Sequence, residues 1–132
     1  MVRDVRARRY RCRACGAILV VVPRGIARCY RYALTAIAWA LALWGSARLR
    51  ESDVRLRTST AKLAGAASAT RWASLRRWTR RADVLFGAAP NAAETLRACA
   101  ATVASFAAAH APIIGGPVPV DAFHGAAFCQ PR

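Results

Sequence analysis

From Tyr32 to Ala47 the chain runs without a charge, YALTAIAWALALWGSA, between Arg31 and Arg48. As a helix this stretch reaches about 24 Å, short of the roughly 30 Å hydrocarbon core of a bilayer. Alanine, which fills much of it, also drives insertion weakly. The stretch therefore reads as a buried core helix, and a chain of 132 residues fits one domain around it, or a small module with a tail. Leu34, Ile37, Ala38, Leu41 and Trp44 recur at helical spacing, which predicts a helix over about residues 33–45 with Gly45 as its stop. The competing reading is a small membrane-associated protein, with residues 32–47 inserted and the arginines resting on anionic lipid.

Further helices follow by the same spacing. Ser52 to Arg57 opens a second, and Thr60 to Ala67 a short third, with a turn or close contact at Gly65–Ser68. The clearest is Arg71–Ala82, RWASLRRWTRRA. At about 100° per residue Leu75, Trp78, Ala82 and Leu85 share one face, and Arg76, Arg77 and Arg80 project from the other; Thr70 is a candidate cap. Pro90-Asn91-Ala92-Ala93-Glu94 has the form of a capping box. It predicts an alanine-rich helix to about His110 with an apolar stripe of Leu96, Val103 and Phe106. Residues 111–132, rich in proline and glycine, read as an irregular tail.

The N-terminus has a different pattern. Residues 5–13 alternate in part, and Ala17–Val22 is an apolar, β-branched run ending at Pro23, so the two read as strands of a hairpin. Between them stands Cys12-Arg13-Ala14-Cys15-Gly16. Two cysteines at this spacing can point at one metal ion, and a glycine after the second allows a turn tight enough for N–H groups to face the sulfurs. This is half of a zinc ribbon. A full site takes four ligands and a second pair roughly 15 to 20 residues away. Cys29 is the nearby third candidate, whereas Cys99, Cys129, His110 and His124 lie beyond the basic region. Zn2+ at Cys12 and Cys15 therefore has an incomplete ligand set: it is held by this chain alone, completed by a second chain, or lost. Five scattered cysteines form no even disulfide framework, and the charged start lacks the apolar core of a signal peptide. A reducing, cytoplasmic setting is expected.

Charge narrows the partner. Residues 1–81 carry 19 Lys and Arg against 3 Asp and Glu, a net +16, while residues 82–132 carry 2 against 3, a net −1. A basic part joined to a neutral part suggests a polyanion partner. Arginine supplies all but one of the basic residues; its forked donors suit phosphate and guanine, although GC-rich coding gives the same bias, so position carries more weight than residue type. Five arginines fall within Arg71–Arg81 with no acid until Asp83. Such a helix lacks the i,i+4 acidic partners of an ordinary solvated face. Trp39, Trp44, Trp72 and Trp78 have the spacing of core residues rather than of stacking platforms. Six carboxylates without a cluster, no phosphate loop and no nucleophile elbow leave no basis for an enzyme or a small-molecule substrate.

The run VRARRYRCRACG over residues 5–16, the apolar strand after it, the Pro23 break and the basic Arg31-Tyr32 lead-in to a helix together resemble the N-terminal region of bacterial insertion-sequence transposases. They are also similar to small transposase-related zinc-ribbon/helix-turn-helix proteins. In that family the second CxxC pair sits where Cys12 and Cys15 stand, and the Arg71–Trp78 run looks like the later helix of the helix-turn-helix. The likeness covers about residues 2–86. The family's first CxxC pair has no counterpart here, so the resemblance is to an N-terminally truncated member. The start would then be assigned too late, or the chain would be a decayed, non-functional remnant of a mobile element. The family's catalytic acids belong to a further domain.

These readings combine into a mainly α fold with a short N-terminal β-hairpin, a helix-turn-helix-like bundle and an Ala-rich C-terminal helix. The expected divisions are residues 1–30 (truncated zinc-ribbon-like hairpin), 31–86 (DNA-binding segment) and 87–132 (Ala-rich helix and Pro/Gly-rich tail). The expected activity is binding of double-stranded DNA, as a nucleoid-associated protein that a shared metal site would make a homodimer. Arg6, Arg8, Arg9, Arg11 and Arg13 would meet phosphates, and Arg76, Arg77, Arg80 and Arg81 would meet a groove.

Overall fold

The computed structural model describes residues 8–21, 32–59 and 71–129. It is mainly helical, with one two-stranded antiparallel hairpin at the N-terminal side. Strands β1 (Arg8–Arg11) and β2 (Ile18–Val21) pair with Arg8 opposite Val21 and Arg11 opposite Ile18. Helices α1 (Leu34–Gly45), α2 (Glu51–Thr58), α3 (Ala73–Arg80), α4 (Ala82–Phe86), α5 (Leu96–Ala108) and α6 (Val118–Gly125) follow, the last running into a 3-10 turn at Ala126–Phe128. The expected helix over Thr60–Ala67, the Gly65–Ser68 turn, the Thr70 cap, the Pro23 break, Arg6 and Cys29 lie outside the described residues.

Helix α1 is the centre. It is apolar on every side, the pattern of a helix surrounded by protein, and Ile37, Ala38, Ala40, Leu41 and Ala42 are wholly buried. Helices α5 and α6 pack against it and against each other, α2 and α3 cover it further, and Trp39 meets Phe123 of α6 edge-on. Among the described residues no helix is long and apolar enough to cross a membrane.

Small residues allow this packing. The buried side of α5 carries Ala100, Val103, Ala104 and Ala107, and α6 presents Ala122 and Gly125. A Cβ at Gly45 would overlap the backbone of Ala101, and one at Gly125 would overlap the carbonyl of Ala107. Helix α1 ends at Gly45, as expected, and Gly45 also serves close helix contact. The chain reverses just beyond, where Arg48 takes φ +56° and Leu49 donates its N–H to the Leu43 carbonyl.

Two expectations are corrected. Helix α5 is capped by Thr95, whose hydroxyl accepts from the Ala98 N–H, and not by Asn91. Asn91 instead accepts from the Ala93 N–H in the preceding turn, and Glu94 donates its own N–H to the Asn91 carbonyl. The tail is not irregular throughout. Pro117 and Pro119 stand at the start of α6, where a missing N–H costs nothing, and the buried Asp121 carboxylate accepts the N–H groups of Gly115 and Gly116, fixing the approach to the helix.

Candidate nucleic-acid interface

Helix α3 is held by its apolar face. Leu75, Trp78 and Thr79 are buried, continued by Ala82 and Leu85 of α4, as the spacing predicts. The Thr79 hydroxyl donates to the Leu75 carbonyl, which leaves no orphan polar group on that side. Trp72 and Trp78 pack edge-on at 5.0 Å between ring centroids, and Tyr32 meets them at 5.8 and 5.2 Å. Such edge-to-face pairs contribute about 0.5–1.5 kcal/mol each beyond burial. The Tyr32 hydroxyl donates to Ser59 at the end of α2, which ties the aromatic trio to the neighbouring helix.

The other face carries the charge. Ala73, Arg76, Arg77, Arg80 and Arg81 follow i, i+3, i+4, i+7, i+8 spacing and line one shallow depression of about 330 Å³. Arg77, Arg80 and Arg81 are exposed. Apart from Ala73, every residue lining the depression is an arginine. Arg77 and Arg80 also stand in the last turn of α3, where the helix dipole favours cations. The backbone departs from helical geometry at Arg81 (φ −112°, ψ 24°), so α3 and α4 are two helices rather than the single one expected.

One acid reaches this face. Glu51, in the first turn of α2 and 11% exposed, accepts from Arg76 Nη2 at 3.2 Å through Oε1. Its Oε2 accepts the Trp72 N–H at 2.6 Å, just before α3 begins. The carboxylate thus orients α3 and neutralises one arginine of four. Sequence reasoning missed Glu51 because its partners lie 21 and 25 residues away; an acid opening a helix signals only a favourable dipole contact.

The hairpin places its arginines differently. Arg8, Arg9, Arg11 and Arg13 are all exposed, Arg8 on one face of the ribbon and Arg9 and Arg11 on the other. At the turn the Cys12 N–H donates to Ala17 and the Gly16 N–H to Cys12, with Gly16 at φ +72°, the conformation that suits glycine. Cys12 and Cys15 are exposed free thiols. N–H groups of Cys15 and Ala14, together with the Cys15 side chain, face the Cys12 sulfur and hold its pKa below the ordinary thiol range. This is the donor arrangement a bound thiolate needs. A structural zinc ion takes four ligands, and the turn offers two. Among the described residues no three His, Cys, Asp or Glu side chains gather at one point.

The remaining candidates are structural. Cys99 and Cys129 are buried, and burial pushes the Cys129 thiol pKa up. Trp44, Trp72 and Trp78 belong to the core; Arg97 lies 5.6 Å from the Trp44 ring centroid and donates to the Leu49 carbonyl. His110 contacts its own helix through the Phe106 carbonyl.

The geometry on this side of the molecule is thus an amphipathic helix clamped by aromatics and presenting four arginines in one stripe. The chain matches no protein-family profile, no curated protein and no solved structure.

Proposed function

We propose that the protein binds duplex DNA, with a stripe of Arg76, Arg77 and Arg80 on α3 and Arg81 just past its end meeting phosphates and base edges and the hairpin arginines Arg8, Arg9, Arg11 and Arg13 adding phosphate contacts. The observation that carries this reading is the stripe: four guanidinium groups on one side of a helix anchored by its opposite side, with a single carboxylate among them. A solvated structural face disperses its charges and pairs them. This one concentrates them, and an array of forked donors matches the spacing of phosphate oxygens. The resemblance of residues 2–86 to the N-terminal regions of transposases points the same way, to a nucleoid-associated binder without chemistry of its own.

The test is a titration of labelled duplex by fluorescence anisotropy across salt. Each neutralised phosphate contributes a slope of roughly −0.9 in log affinity against log salt. Arg77→Ala, Arg80→Ala and Arg81→Ala together spare the Glu51–Arg76 pair. They should shallow that slope by roughly 2 to 3 and weaken binding more than tenfold at moderate salt, with the helical signal unchanged. Equal affinity and slope for variant and parent would remove α3 from the interface.

A further inference from the structure

The hairpin has a second feature that DNA contact does not use. Its apolar residues are as open as its arginines: Tyr10 is 50% exposed, Leu19 64% and Val21 49%. Tyr10 lies directly opposite Leu19, and Arg8 opposite Val21, so these four share one face of the ribbon. The opposite face pairs Arg9 with Val20 and Arg11 with Ile18, leaving it the more basic. The Cys12 N–H to Ala17 bond extends the ladder by one step beyond Arg11. This puts Cys12 in register with Tyr10 on the apolar face.

From these placements we infer that two copies of the chain join face to face through their hairpins around one zinc ion, bound by Cys12 and Cys15 of each. The arithmetic of ligands selects the occupant: one knuckle supplies two thiolates, tetrahedral zinc takes four, and an identical knuckle supplies the rest. A two-fold axis through the metal also brings the Tyr10, Leu19 and Val21 faces together, which buries apolar surface that a lone two-stranded ribbon leaves wet. Charge agrees at close range. Four thiols release four protons to solvent on binding Zn2+, so the tetrathiolate centre is a dianion, and Arg13 of each copy stands between its two ligands in the chain. The Arg9 and Arg11 side faces outward and stays open to a polyanion.

The inference is independent of DNA binding, and its test contains no nucleic acid. The full chain, kept reduced with a phosphine and stripped of metal, is titrated with Co2+ and then Zn2+ while light scattering follows its mass. Tetrahedral tetrathiolate cobalt absorption should saturate at one ion per two chains, and the mass should double over the same range. Cys12→Ser and Cys15→Ser should each abolish both signals and leave the helical circular dichroism intact, whereas Cys29→Ser should change neither. Leu19→Lys with Val21→Lys keeps all four thiols but should raise the zinc needed for dimerisation at least tenfold. Saturation at one ion per chain without a change in mass would overturn the inference. So would loss of the site in Cys29→Ser, dimers that survive a chelator, or an absence of cobalt absorption.

Discussion

The hairpin and the helical core are built from similarly apolar residues and treat them in opposite ways. Ile18 and Ile37 are the same side chain. In β2 it is 67% exposed, and in α1 it is fully buried. Two strands make a ribbon with two faces and no interior, so nothing within such a hairpin can cover its own residues. A helix as apolar as α1 gains neighbours on every side from α5, α6 and α2. The lesson is that hydrophobicity predicts burial only where the local geometry leaves something to be buried against. The apolar residues of the uncovered ribbon face outward.

The strongest test of the core half of this contrast is to enlarge a residue at the helix crossing. Gly125→Leu would drive its side chain into the Ala107 carbonyl and the Ala111 N–H. Backbone on both sides cannot yield as a flexible side chain would, so the cost should reach about 3 kcal/mol or more. That is a large share of the stability of a small domain. Urea denaturation followed by circular dichroism should show the midpoint collapse. A midpoint near the parent's would mean that α6 is not seated on α5.

The next test sets the two isoleucines against each other. Ile37→Ala removes a fully buried side chain and should lower stability by about 2–5 kcal/mol. Ile18→Ala on the ribbon of the metal-free protein should stay within roughly 0.5 kcal/mol of the parent, as at other exposed sites. Equal losses at both positions would dissolve the contrast, because the ribbon would then have to be packed on something.

The same contrast explains what could be read from sequence. The hairpin, α1 and the two faces of α3 follow from periodicity alone, since Leu75, Trp78, Ala82 and Leu85 mark one side and the arginines the other. Helix α6 does not. Its buried residues are Asp121, Ala122 and Gly125, none of them a large apolar side chain, and its prolines read as breakers although they stand at its start, where they are harmless. Asn91 and Thr95 are both acceptable caps by residue type, and the choice between them is made by where α5 docks. At the candidate interface the arginines were legible because a helix face is local. Glu51 was not, because the fold rather than the spacing brings it to Trp72 and Arg76. The break at Arg81 has no glycine or proline to announce it.

The smallest expected effect leaves the fold untouched and compares one thiol from each region. In the ribbon turn, N–H donors from Cys15 and Ala14 favour the Cys12 thiolate; in the core, burial disfavours the Cys129 thiolate. Alkylation proceeds through the thiolate, so the two shifts act in opposite directions on the rate. Cys12 should react with iodoacetamide at lower pH than an ordinary exposed thiol, and its rate–pH profile should turn over below the ordinary thiol range. Cys129 should lag at every pH, because its thiolate is scarcer and its sulfur is covered until the 3-10 turn opens. A short pulse of reagent on the reduced, metal-free chain, followed by peptide mass spectrometry, reads both sites at once. Should Cys129 label as fast as Cys12, the end of the chain would be loose, and the core would lose the wall that Gly125 and Ala126 give it. Should both label slowly, the Cys12 sulfur would be covered, and the ribbon would no longer be the open region of the pair.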